Sequence, residues 1–112
     1  MTRAPLCRLA DIPEGESAGF AATHPDGQRL GVLVVRREGR VFAYHNSCPH
    51  TGAPLDLVPG QFLSLDKALI LCSSHGALFR IEDGYCIEGP CVRKTLTPLD
   101  VVIEGESVFL AP

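Results

Sequence analysis

Two short stretches, Cys48-Pro49-His50-Thr51-Gly52 and Cys72-Ser73-Ser74-His75-Gly76, decide how this sequence is interpreted. Each pairs one cysteine with one histidine and places a glycine close behind the histidine. Thiolate and imidazole are metal ligands, and glycine lets the backbone turn sharply beside a bulky ligand. One Cys–His pair arises often by chance, but two complementary pairs indicate a metal centre. The candidate ligands are therefore Cys48, His50, Cys72 and His75.

The segments around these motifs predict β-strands. Three stretches are typical of hairpins, because each has two runs of β-branched, aromatic or other apolar residues around a charged turn with a glycine: 30–44 with Gly39, 77–87 with Gly84, and 99–110 with Gly105. The apolar stretch 68–72 predicts a buried strand that ends at the second motif. Nine prolines and eleven glycines punctuate the sequence, so helices should be few and short. We therefore expect an all-β sandwich or barrel.

The bulk composition indicates one globular domain over residues 1–112, with 46% hydrophobic and 21% charged residues. The apolar runs are too short to span a bilayer, and the N-terminus lacks the apolar core of a secretory signal, so we expect a cytoplasmic protein without a membrane partner. A net charge of −3 without a basic patch argues against nucleic acid. Five cysteines, an odd number, favour metal binding over a disulfide framework.

Two kinds of metal centre accept these ligands. Zinc binds two cysteines and two histidines, and a [2Fe–2S] cluster does so when two histidines replace two cysteines on one iron. A zinc finger normally supplies its cysteine pair as C-x₂₋₄-C, whereas here Cys48 and His50 are separated by a single residue. The spacing therefore favours the [2Fe–2S] cluster, with a structural zinc-binding interaction domain as the alternative.

In their longer context the motifs resemble the signature of the Rieske [2Fe–2S] family. The likeness runs through residues 48–55 and 72–79, then through the hairpin at Gly84, and covers roughly residues 5–110. The pair Gly89-Pro90 matches the proline loop that covers the cluster in Rieske proteins. The resemblance implies a Rieske-like fold of stacked small antiparallel sheets with two cluster-binding loops.

The same resemblance implies a role for each ligand. Cys48 and Cys72 would bind one iron through thiolates, and His50 and His75 would bind the other iron, which accepts the electron. One departure from the family lies between the motifs, where His50 and Cys72 are separated by a long connection, residues 51–71. Since loop insertions cost little entropy, the departure concerns local shape and leaves the ligands unchanged.

High-potential members of the family carry a disulfide between the cluster loops and hydroxyl donors behind the second histidine. The corresponding positions here hold Ala53, Ser74, Ala77 and Phe79. Hydrogen bonds to sulfur stabilise the reduced cluster, so their loss predicts a potential toward the low end of the Rieske range of about −150 to +300 mV. The three other cysteines lack metal-ligand spacing and are expected to be free thiols: Cys7, Cys86 and Cys91.

These features predict a small Rieske ferredoxin, an electron-transport protein that is not catalytic alone. It would take single electrons from a reductase, deliver them to an oxygenase or another oxidoreductase, and have no small-molecule substrate of its own. One alternative is a small subunit or redox-sensing module of a larger oxidoreductase. The other is the zinc-binding interaction domain, which would leave the protein without redox activity.

Overall fold

A computed structural model describes residues 5–23, 27, 29–47, 49, 54–56, 61–72, 76–90 and 92–110. This part of the chain forms ten strands and one 3₁₀ turn, in the order β1 Cys7–Arg8, the turn Leu9–Asp11, β2 Ser17–Thr23, β3 Arg29–Arg37, β4 Arg40–His45, β5 Leu69–Cys72, β6 Ala77–Arg80, β7 Cys86–Glu88, β8 Pro98–Leu99, β9 Val101–Glu104 and β10 Ser107–Leu110. The predicted all-β fold is confirmed. No helix in the described ranges is long and apolar enough to cross a membrane.

The strands form three antiparallel sheets, with strand orders β1-β10-β9, β2-β3-β4-β8 and β5-β6-β7. The four-stranded sheet separates two hydrophobic cores, because alternate residues of a strand point to opposite faces. Leu33 and Val35 of β3 pack into the core shared with β5, β6 and β7, whereas Val32 and Val34 pack into the core shared with β1 and β10. Both faces of β3 are therefore buried, which explains its uninterrupted apolar run.

All three predicted hairpins are present. The β3–β4 turn places both Glu38 and Gly39 at positive φ, 53° and 74°, as a type I′ hairpin turn requires. The β6–β7 and β9–β10 turns contain Gly84 and Gly105 at φ 71° and 63°. Strand β2 was not predicted, because its sequence is mostly small residues with a single aromatic, Phe20. It forms through pairing with β3, from Ser17↔Val35 to Thr23↔Arg29.

The described part of the long connection folds back along β5. Leu55 and Phe62 are fully buried, and Leu63 forms an antiparallel bridge with Ile70 of β5. The backbone bonds Leu71 N to Phe62 O, 2.7 Å, and Ser64 N to Leu69 O, 2.8 Å, continue this pairing. The segment 61–67 thereby covers the outer edge of β5, which is otherwise an open sheet edge.

Tyr44 joins the four-stranded sheet to the sheet that carries the second motif. Its hydroxyl donates to the carbonyl of Ile81 at 2.6 Å in a buried position. A Cβ added to Gly84 would lie 2.8 Å from the Tyr44 ring, so the β6–β7 turn closes directly on the aromatic side chain. Burial and the neighbouring carboxylates of Asp83 and Glu82 raise the pKa of Tyr44 to about 12, which keeps the hydroxyl a donor.

Candidate metal centre

The second motif lies where β5 ends and β6 begins. Cys72 is the last residue of β5, is fully buried, and pairs with Ala77, the first residue of β6. The N–H of Gly76 donates to the carbonyl of Cys72 at 2.9 Å, with Gly76 at φ 74°. This hydrogen bond holds Cys72 and Gly76 close together, and His75 directly precedes Gly76 in the sequence. The prediction that this motif follows a strand is confirmed.

Cys72 is the one candidate ligand within the described residues. Cys48, His50 and His75 lie outside them, as do Ala53 and Ser74. In the described ranges no three metal-ligating side chains come together, and three of the four predicted ligands are not in those ranges. The assignment of the four ligands therefore stays a prediction.

The first motif follows β4 and lies in a segment whose ends are tied together. Asn46, directly after β4, uses its side-chain oxygen to accept from the N–H of Leu55 at 2.8 Å. Its side-chain N–H₂ donates to a carboxylate oxygen of Asp56 at 3.0 Å. The backbone N–H of Asn46 also donates to the carbonyl of Gly31 at 2.9 Å, which fixes this residue to β3. The side chain of Asn46 thus links the two ends of segment 47–54, which contains Cys48 and His50 in the sequence.

The surroundings of Cys72 are apolar. Ile70, Ala77 and Phe79 belong to the same buried core, and no buried polar or charged side chain occurs among the described residues. Ala77 and Phe79 occupy the two positions where high-potential Rieske proteins place hydroxyl donors, and both side chains are fully buried. Neither side chain can donate a hydrogen bond to a sulfur atom.

Gly89 lies against the start of β6. Its φ is 100°, and an added Cβ would lie 2.7 Å from the Cα of Ala77 and 3.1 Å from its Cβ. Ala77 follows His75 by two residues, so Gly89-Pro90 is held beside the second motif. Only glycine fits this close backbone approach, and the role of Gly89-Pro90 as the loop that covers the cluster stays a prediction.

The cysteines outside the motifs are free thiols where the structure describes them. Cys7 is buried beside β10, and burial together with the carboxylate of Asp11 raises its pKa to about 11. Cys86 is buried in β7, where its thiol donates to the carbonyl of Glu88 at 3.2 Å. Both confirm the expectation of free thiols, and Cys91 lies outside the described residues.

Asn46 and the contact of Gly89 with Ala77 are the features that sequence reasoning missed. An asparagine immediately before the first motif, at the end of a strand, was the available signal for Asn46. Its partners Leu55 and Asp56 lie too far along the chain for a local pattern to reveal them. The two metal-binding motifs were sufficient to predict the four candidate ligands.

Comparison with known proteins agrees with the predicted Rieske resemblance. The Rieske [2Fe–2S] domain family matches residues 2–103. The ferredoxin component of the alkene monooxygenase system of Xanthobacter autotrophicus is 31% identical over 105 residues, which are 94% of this chain and 77% of that protein. Apoptosis-inducing factor 3 of Homo sapiens is 32% identical over 110 residues, but the match spans only 16% of its length.

A solved structure extends the likeness to the whole fold. The ferredoxin of carbazole 1,9a-dioxygenase from Nocardioides aromaticivorans IC177 superposes with a TM-score of 0.75 and 28% identity, covering 100% of this chain and 99% of that one. The family match selects a [2Fe–2S] cluster over zinc as the cofactor. The chain belongs to the Rieske [2Fe–2S] domain family.

Proposed function

We propose that this chain is a Rieske ferredoxin that transfers one electron at a time between a reductase and an oxygenase or another oxidoreductase. The observation that carries this proposal is the end-to-end match to ferredoxin components of oxygenase systems, which cover 94% and 100% of this chain. The chain has no catalytic role on its own. The reductase loses one electron to the carrier, and the terminal enzyme gains it.

Within this proposal, Cys48 and Cys72 supply the two thiolates and His50 and His75 the two imidazoles. When bound, a [2Fe–2S] cluster with this ligand set accepts and releases one electron. The donor set fits, because two soft thiolates and two borderline imidazoles are the ligands that such a centre takes. The apolar residues around Cys72 keep water away from the thiolate side, and the Gly89-Pro90 segment lies beside the second motif.

The carrier works at low potential. Ala77 and Phe79 offer no side-chain hydrogen bond, so the extra negative charge of the reduced state gains no stabilisation from them. We expect a midpoint below about +100 mV, in the lower part of the Rieske range. We expect the chain to act as one domain over residues 1–112 in the cytoplasm.

The experiment is iron and sulfide analysis with EPR of the purified protein and of matched cysteine variants. The wild type should be brown and should give a rhombic EPR signal after reduction. Cys48→Ser and Cys72→Ser, together with His50→Ala and His75→Ala, should abolish that signal. Cys86→Ser should retain it, because Cys86 is equally buried but lies outside the motifs. A colourless protein that contains one zinc, or loss of the signal in Cys86→Ser alone, would contradict the assignment.

A second candidate function is that of a subunit or redox-sensing module within a larger oxidoreductase. It is favoured by the human relative, in which the matched region is a small part of a longer protein. Gel filtration of the native protein with its partners separates the two functions. A ferredoxin elutes free, whereas a subunit elutes with its partner in a fixed ratio.

A further inference from the structure

We propose that Asn46 is a positioning residue for the first cluster-binding loop, and that it acts through its paired hydrogen bonds to Leu55 and Asp56. The proposal rests on the proposed function, because it concerns the ligands Cys48 and His50. Asn46 is not itself one of the four predicted ligands, and its side chain bonds to Leu55 and Asp56, so its role is to hold the ends of the loop rather than to bind the cluster.

The two ends of segment 47–54 are fixed to different parts of the fold. On one side, the N–H of Asn46 is bonded to Gly31 of β3, and the carbonyl of His45 accepts from Ser47 at 2.8 Å. On the other side, Leu55 is fully buried in the core that also holds Phe62 and Cys72. Without a link, these anchors would constrain each end separately. Asn46 joins them with bonds of 2.8 and 3.0 Å.

The Asn46 side chain accepts in one bond and donates in the other, so only an amide at this position can make both. The Oδ1 of Asn46 accepts from a backbone N–H, while its Nδ2 donates to a carboxylate. An aspartate at position 46 would keep the acceptor but would lose the donor and place a carboxylate against Asp56. Hydrogen bonds to charged groups and like-charge contacts are among the stronger polar effects, particularly where solvent is partly excluded. Both bonds of Asn46 are partly buried.

The chain offers a reciprocal exchange as a rescue. In the double variant Asn46→Asp with Asp56→Asn, the new amide at position 56 can donate to the new carboxylate at position 46. The other carboxylate oxygen can still accept from Leu55. The net charge equals that of the wild type, so a general electrostatic effect on the cluster is cancelled while the hydrogen bonds are restored.

The test measures the rate of cluster loss in the presence of an iron chelator, followed by visible absorbance, and the EPR g-values of the reduced protein. Asn46→Asp should lose its cluster about tenfold faster than the wild type and should show shifted or broadened g-values. The double exchange should return both readouts to within about twofold of the wild type. Asp56→Ala, which removes the carboxylate that accepts from Asn46 Nδ2 and leaves the bond to Leu55 in place, should be intermediate, and it keeps the test open if Asn46→Asp fails to fold.

Tyr44→Phe is the matched control, because it removes a buried side-chain bond that lies outside the first loop. It should lower thermal stability without changing the g-values. The proposal is overturned if the Asn46 and Asp56 variants change cluster loss no more than Tyr44→Phe does, or if the double exchange gives no rescue. A wild type that lacks the rhombic signal would instead contradict the proposed function, so the two failures are distinguishable.

Discussion

Replacing Gly89 by alanine tests whether the Gly89-Pro90 segment is held tightly against the second motif. Gly89 has a φ of 100°, where residues with a Cβ are strained. The added Cβ would lie 2.7 Å from the Cα and 3.2 Å from the N of Ala77. Both neighbours are backbone atoms of β6, so no side-chain rotation can relieve the contact. Either the Gly89-Pro90 segment or the start of β6 has to move.

The magnitude follows from two contributions. Holding alanine at this φ costs about 1–3 kcal/mol. Forcing an extra methyl group into a packed site costs about another 1–3 kcal/mol. We therefore expect a loss of about 4 kcal/mol in the free energy of unfolding, or roughly 16 °C in Tm at about 4 °C per kcal/mol for a chain of this size.

Gly105→Ala is the matched control for the conformational contribution. Gly105 also has a positive φ, 63°, but an added Cβ meets no atom within 4 Å. This variant should lose only about 1–2 kcal/mol, the strain of a left-handed residue. Urea unfolding followed by circular dichroism measures both variants, and chelator-induced bleaching reports access to the cluster. Equal unfolding midpoints for the two variants, with unchanged bleaching, would refute the packing of Gly89 against Ala77.

Three further predictions concern the buried side chains of Ala77 and Tyr44. Ala77→Ser supplies a hydroxyl near the second motif that can donate a hydrogen bond to a sulfur atom. A bond that favours the reduced state by about 1 kcal/mol raises the midpoint potential by about 40 mV for one electron. A redox titration that shows no rise would contradict the argument for low potential. Tyr44→Phe leaves the carbonyl of Ile81 without its donor and should cost about 1–2 kcal/mol at pH 7 in urea unfolding. Because the pKa of Tyr44 is raised to about 12 in the folded state, the unfolded chain ionises first above pH 10, so wild-type stability should fall between pH 10 and 12. The Tyr44→Phe variant should show a smaller fall over this range, and an identical pH profile would argue against the buried hydroxyl.

The hairpins could be predicted from sequence because their determinants are local. The turn at Glu38 and Gly39 requires two residues at positive φ, and a glycine within a charged stretch predicts such a turn. Strand β2 could not be found in this way, since its small residues carry little β propensity and its structure depends on pairing with β3. The fold of segment 61–67 along β5 was missed for another reason, because its turn contains no glycine and Lys67 takes the positive φ of 60°. Its bridge from Leu63 to Ile70 joins residues that lie on either side of a tight turn.

In the candidate site, too, the features set by local sequence could be predicted and those set by distant contacts could not. The motifs predicted the ligands because metal chemistry limits the residue types and their spacing. The supports of the motifs depend on contacts that the sequence does not show. Asn46 reaches Leu55 and Asp56 across the first motif. Gly89 contacts Ala77 from the other end of the β6–β7 hairpin. The sequence shows the glycine, but it does not show which residue the glycine lies against.

The supports also show how two separate loops can be kept in register. A [2Fe–2S] cluster shared by two motifs requires a fixed distance between them, so both motifs need a common reference in the fold. Strand β4 supplies one: Tyr44, near its end, binds Ile81 after β6, and Asn46, directly after it, binds Leu55 beyond the first motif. Since these two residues are separated by one position, a displacement of β4 moves both supports together. The Asn46 bonds link the two ends of the segment that holds the first motif, whereas the Tyr44 bond joins the sheets beyond β6, so Asn46 variants should change the cluster and Tyr44→Phe should change stability alone.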